Sequence, residues 1–172
     1  AALTEGCLTR GELQRSAANI CRFLLQTPAF RRSIGRTSAL DDQMEAMAEQ
    51  DMQQAAQNGL PLTLRDGTAI DIAAIDNGYR RTTAFRVTAA EGGSYTLHLR
   101  CRAMPGNSPL AQIPVSVFAG RAFLKTMTIT GAQTDWCDFS VTLPALNTGD
   151  EFFLRFYFGQ SGMELSAVTL KK

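Results

Sequence analysis

The sequence predicts a mainly β protein: a jelly-roll β-sandwich preceded by a helical leader of about two helices. Three observations predict it. The first is strict apolar/polar alternation in the second half, clearest from Gly93 to Ala103, where Tyr95, Leu97, Leu99 and Cys101 alternate with Thr96, His98, Arg100 and Arg102. The second is the regular spacing of about nine such stretches between turn residues. The third is helical periodicity before residue 60 and its loss afterwards, which divides the chain into 1–59, a leader, and 60–172, a sandwich.

The totals bound the class. With 172 residues, 45% hydrophobic and 19% charged, the chain is globular. Seventeen Lys and Arg against sixteen Asp and Glu leave a formal net charge of +1. No global field therefore favours nucleic acid or an anionic membrane, and neither is expected as a partner. No apolar run approaches the roughly 18 residues of a membrane span. Ala1-Ala2-Leu3-Thr4-Glu5-Gly6 has no basic n-region or long apolar core, so it does not read as a signal peptide. With no initiator Met, it reads as a processed or excised piece of a longer chain, or a deliberately trimmed one, and its compartment stays open. Cys7, Cys21, Cys101 and Cys137 form no CxxC pair, which argues against a zinc ribbon. They read as buried free thiols; a Cys101–Cys137 bridge is an open alternative.

Thr9 and Glu12 make a capping box, with Leu8 and Leu13 placed as a hydrophobic staple. Leu13, Ala17, Ile20, Cys21 and Leu24 then form one helical face, ended by Thr27-Pro28. Phe23 and Leu25 widen the apolar surface, so the helix calls for partners on more than one side. Phe30 to Ser38 reads as a basic, irregular link. Ser38 caps a second helix, which carries Leu40, Met44, Met47, Ala48, Met52 and Ala55 and stops at Asn58-Gly59. Its methionine stripe reads as packing against its own domain, or as an adaptable partner surface.

Leu60 to Leu64 and Thr68 to Ile75 read as strands around an Asp66-Gly67 turn. Further strands are expected at Thr83 to Ala89, Gly93 to Ala103, Gln112 to Ala119, Ala122 to Thr130, Trp136 to Leu143, Glu151 to Phe158 and Met163 to Leu170. There is no βα alternation and no internal repeat.

The order of features in the second half resembles the carbohydrate-binding modules of family six and their relatives. The residues are Phe85, then Gly93-Ser94-Tyr95-Thr96-Leu97-His98-Leu99-Arg100, Thr134-Asp135-Trp136, Leu146-Asn147-Thr148-Gly149-Asp150 and Glu164-Leu165-Ser166. The resemblance covers roughly Asp71 to Lys172. The leader, Leu8 to Leu24, is similar to a helix late in bacterial family-three glycoside hydrolases, the β-glucosidase group. Both resemblances imply a role in breaking down polysaccharide of plant type, as the C-terminal part of a larger enzyme.

A sugar site needs an aromatic face for the apolar side of a pyranose and planar polar groups for its hydroxyls. Trp136 is the one Trp, at a loop-to-strand junction, and matches the module's stacking Trp. Phe85 matches the other stacking position and is equally a core candidate. Glu164 stands at the family's ligand-bonding Asn position, where a carboxylate also accepts from hydroxyls. Tyr79 is a further aromatic near the same end. Ser166 replaces the usual Asp, which weakens the case for a structural calcium without closing it, and no other cofactor is expected. An alternative surface combines His98, Arg100 and Arg102 with Phe153, Arg155 and Tyr157, as a basic face for an acidic sugar or as a packing face.

Catalysis by this chain is not expected. His98 is the one His and lies in no triad or metal motif. Thr134-Asp135-Trp136 imitates the Ser-Asp-Trp nucleophile motif of family-three hydrolases, but it opens a sandwich strand rather than following a barrel strand. Retaining hydrolysis also needs a second carboxylate roughly 5 Å away, and Asp138 falls on the opposite strand face from Asp135. Two readings remain: a carbohydrate-binding sandwich, or a packing and dimerisation sandwich that binds no glycan. The exposure of the Trp136 indole separates them.

Overall fold

The computed structural model describes residues 9–172. Leu8 of the expected staple and Cys7 lie outside the described residues. The chain forms two compact units, Ala1–Glu49 and Gln50–Lys172, with the division inside a helix.

In the first unit, α1 (Arg10–Gln26) begins at the expected capping box. Glu12 N–H donates to Thr9 Oγ1 at 3.2 Å, and Thr9 N–H donates to Glu12 Oε2 at 2.8 Å. A short helix, α2 (Pro28–Ser33), overlaps the start of the link expected to be irregular. Thr27 is the reason: its hydroxyl donates to Leu24 O at 2.7 Å, closing α1, and accepts from Phe30 N–H at 3.2 Å, opening α2. Proline at the first helical position loses no hydrogen bond there. The next helix, α3 (Ala39–Asn58), starts at Ser38, whose N–H donates to Asp41 Oδ2 at 2.9 Å. Met44 and Met47 are more than half exposed, so this part of the methionine stripe is not the packed face expected of it.

The second unit is a two-sheet sandwich. Its strands are β1 (Leu60–Leu64), β2 (Thr68–Ala69), β3 (Arg81–Ala89), β4 (Thr96–Ala103), β5 (Gln112–Ala119), β6 (Ala122–Thr130), β7 (Cys137–Thr142), β8 (Glu151–Phe158) and β9 (Met163–Lys171). One sheet has the order β1-β3-β8-β5-β6 and the other β2-β9-β4-β7. β1 runs parallel to β3, whereas β2 pairs antiparallel with β9. The Asp66-Gly67 turn therefore carries the chain from one sheet to the other and does not close a hairpin. Thr68 to Ile75 is also not one strand. After β2, the Asp71 side chain accepts from Ala73 N–H at 3.0 Å and starts a 3-10 turn over Ile72–Ala74. A local side-chain bond of this kind competes with the ladder.

The alternating strands fill the space between the sheets. Tyr95, Leu97, Leu99 and Cys101 are buried from one side, and Leu154, Phe156 and Phe158 from the other. Each of the buried Leu and Phe side chains contributes about 1.5–3 kcal/mol by leaving water. Tyr95 is tolerated there because its hydroxyl donates to Glu91 O at 3.0 Å. The last turns of α3 lie on the outer face of the five-stranded sheet. Ala55 is buried, and a Cβ on Gly59 would come within 2.5 Å of Ala55 O and 3.4 Å of Phe153 Cε1. Gly59 is glycine because backbone passes close there.

Candidate functional site

β4 places His98, Arg100 and Arg102 on the outer face of the four-stranded sheet, while Tyr95 and its period-two partners point inward. β7 runs antiparallel beside it, pairing Cys137 with Cys101. Trp136, the residue just before β7, lies beside Arg102, the residue after Cys101. The Arg102 guanidinium carbon lies 4.4 Å from the centre of the indole. On the other side of β4, Arg102 is the Cα partner of Glu164 in β9, and its Nε–H donates to Glu164 Oε2 at 2.8 Å. The result is a row, Trp136–Arg102–Glu164, running from the residue before β7 across β4 to β9.

The loops beside this row are tied to one another. Asn77 donates from Nδ2 to Met163 O at 2.7 Å, fixing the Tyr79 loop to the start of β9. Asn107 donates to Met104 O at 3.0 Å and to Gly162 O at 2.8 Å. Ala103 N–H donates to Gln133 O at 2.7 Å, holding the loop that leads into Trp136. The aromatic thus sits on a braced strand end.

Of the four residues singled out in the sequence, the structure joins Trp136 and Glu164, through Arg102. Trp136 is half-buried, which by itself decides neither reading. Tyr79 is 56% exposed in the neighbouring loop and has Arg80 at 5.2 Å from its ring centre. Phe85 is corrected: it is 3% exposed, with its ring edge-to-face on Phe156 at 6.1 Å, and it offers no face to a ligand. Its position in β3 faces inward, where apolar burial outweighs any surface role. Arg102, which the sequence places only on the basic strand face, is the residue that joins these two. Seeing this requires the pairing of β4 with β7 and β9 to be known.

The alternative surface does not exist as a unit. His98, Arg100 and Arg102 belong to the four-stranded sheet, and Phe153, Arg155 and Tyr157 to the five-stranded one. The first face is also not strongly basic, because Arg100 faces Asp138 at 3.9 Å and Arg102 holds Glu164. Asp135 is exposed in the loop before β7. Two hollows lie away from the Trp136 row. One, of about 240 Å³, lies between Asp51, Gln54, Thr82 and Thr83. The other, of about 340 Å³, has Met52, Arg86, Glu151 and Phe153 in its lining. Among the described residues no three His, Cys, Asp or Glu side chains come together as a metal site, and no helix is long and apolar enough to cross a membrane.

No protein-family model matches the chain. Over 173 residues the chain is 31% identical to a β-glucosidase of Ruminococcus albus, in an alignment covering 100% of this chain and 18% of that protein. The chain thus spans less than a fifth of the relative it matches. Among solved structures, it is similar to a β-glucosidase from Paenibacillus barengoltzii, with TM-score 0.40 and 23% identity, over 98% of this chain and 17% of that one. It is also similar to a family 35 carbohydrate-binding module from an environmental isolate, with TM-score 0.40 and 17% identity, over 60% and 70% of the two chains. The C-terminal family 6 module of a marine laminarinase from Zobellia galactanivorans gives TM-score 0.42 and 11% identity, over 63% and 90%.

Proposed function

We propose that this chain is a non-catalytic carbohydrate-binding part of a larger glycoside hydrolase acting on plant-type polysaccharide. Attachment to a hydrolase is supported by identity along the whole chain to less than a fifth of a β-glucosidase. The observation that carries the binding reading is the Trp136–Arg102–Glu164 row. An indole on an outer strand end, with a planar cation and a carboxylate beside it, has the parts a pyranose requires. Arg102 occupies one face of the ring, so a sugar would stack on the other. Glu164 Oε2 receives Arg102, so Oε1 would accept from a sugar hydroxyl. Tyr79 would bound the site from the neighbouring loop.

A second reading is favoured by the same contact. Stacking of Arg102 on Trp136 and its ion pair with Glu164 make a cluster that is largely satisfied internally, as expected of a packing or dimerisation face. Affinity electrophoresis in gels containing soluble glucan, xylan or mannan separates the two. Retardation by one of these glycans, lost in Trp136→Ala with the fold intact by circular dichroism, supports binding. Unchanged mobility of both proteins in every gel, together with a dimer that Trp136→Ala dissociates, establishes the packing face instead.

A further inference from the structure

Cys101 in β4 and Cys137 at the start of β7 are Cα partners in an antiparallel ladder. Directly opposed residues in such ladders have Cα atoms roughly 4.5–5.5 Å apart, inside the roughly 4.4–6.8 Å span that a disulfide bridges. Both cysteines are free thiols, and Cys137 Sγ donates to Cys101 O at 3.1 Å, so the two side chains share one strand pair and one face. Their environments differ. Cys101 is fully buried, whereas Cys137 is partly exposed at the strand end. Burial, and then the neighbouring Cys137, push the Cys101 thiol up to about 12. Cys101 is therefore poorly suited to attack an oxidant in solution, and Cys137 is the sulfur such an oxidant meets.

We propose that Cys101 and Cys137 are a disulfide-forming site, oxidised by a low-molecular-weight disulfide such as glutathione disulfide. The Cys137 thiolate attacks one sulfur of the oxidant, forming a mixed disulfide and expelling one glutathione thiolate, which takes up a proton. Cys101 then gives up its proton and attacks the Cys137 sulfur, expelling the second glutathione as a thiolate, which takes up that proton. Two protein thiols are oxidised to one disulfide, and one small-molecule disulfide is reduced to two thiols. The bridge would tie edge strand β7 to β4, its hydrogen-bonded neighbour in the sheet. It would also lie next to Arg102 and Trp136 in sequence, so oxidation would set the strand spacing beneath the aromatic row. The inference does not depend on whether that row binds a sugar.

The test uses the chain with Cys7→Ser and Cys21→Ser, so that this pair holds the remaining thiols. Native protein is incubated with glutathione disulfide, and thiols are counted by alkylation and intact mass. The expected result is joint loss of both thiols with no retained glutathione, a 101–137 cross-linked peptide, and a rise in Tm of roughly 5–10 °C that dithiothreitol reverses. Adding Cys101→Ser should instead leave a stable glutathione adduct on Cys137. Two results would overturn the proposal: both thiols still reduced in the folded protein, or the intact pair stopping at the mixed disulfide on Cys137. Both are read on the protein retaining the pair, so poor folding of the Cys101→Ser variant does not affect them.

Discussion

Arg155 in β8 and Asp51 in α3, 104 positions apart, are joined by an Nη1–Oδ2 contact of 3.1 Å, with the Arg155 side chain only 4% exposed. Arg155 also donates from Nη2 to Gly120 O at 3.1 Å and lies 4.9 Å from the centre of the Phe118 ring, while its Nε–H has no partner. A buried guanidinium with an unsatisfied donor is costly, and its remaining partners carry the compensation. Asp51 is 56% exposed, which discounts the pair's own strength by solvent screening. Asp51→Ala should therefore cost about 1–2 kcal/mol and Arg155→Ala about 2–4 kcal/mol in urea unfolding, the larger figure reflecting lost packing on Phe118 as well. Equal, negligible effects would mean that the contact holds nothing.

Phe85 and Trp136 make opposite predictions. Phe85→Ala removes a ring from the core and should cost about 3–4 kcal/mol, with glycan retention of the surviving folded fraction unchanged. Trp136→Ala removes a half-buried ring and should cost less than about 1.5 kcal/mol while abolishing retention. Parallel urea titrations and affinity gels read both quantities. A glycan-specific loss in Phe85→Ala at constant folded fraction would return Phe85 to the site.

The contrast between these two aromatics shows what the sequence made legible. The faces of β4 and β8 were readable because period-two alternation follows from strand geometry, and Tyr95, Leu97, Phe156 and Phe158 are all buried accordingly. Sheet membership was not, because pairing is set between distant segments. Arg100 and Arg155 look alike on outward positions yet sit on different sheets. Short elements also escaped. α2 depends on Thr27 capping across Pro28, and β2 is cut short by the Asp71 side chain; both are local hydrogen-bond choices that periodicity does not register. The contact of Arg102 with Trp136 was hidden for the first reason, and for a related one the sequence left Phe85 open between stacking and core until its burial placed it in the core. A resemblance in order matches positions, but the burial of a position is a property of the packed fold.

The capping carboxylates should make the first unit's helices sensitive to acid. Hydrogen bonds from the Thr9 backbone and hydroxyl hold Glu12 below its ordinary value of 4.5. The Ser38 hydroxyl does the same for Asp41, whose ordinary value is 3.8. A carboxylate depressed in the folded state stabilises it above the ordinary value, and that stabilisation is lost as pH falls through the folded one. Helical circular dichroism should therefore hold steady down to about pH 4.5 and decline below it. Glu12→Gln should flatten the part of the decline due to α1, and an unaltered profile in that variant would remove the cap from the explanation.

The contact between Arg102 and Trp136 decides how the site is to be understood, and a double-mutant cycle measures it directly. A guanidinium over an indole at partly exposed positions contributes about 0.5–1 kcal/mol, and the Arg102–Glu164 pair, with side chains 35% and 40% exposed, adds at most about 1 kcal/mol after screening. Arg102→Ala should thus lower stability modestly, and the coupling between Arg102→Ala and Trp136→Ala should be about 0.5–1 kcal/mol in unfolding experiments. If the row serves only packing, Arg102→Ala changes that stability and nothing else. If the indole is a platform held flat by Arg102, the same substitution should weaken glycan retention several-fold while Trp136 is still present. Arg102→Lys, which keeps the charge but loses the planar stack, should fall nearer to Arg102→Ala than to the parent chain. Retention in Arg102→Lys equal to that of the parent would show that charge alone matters and that the stacked geometry does not.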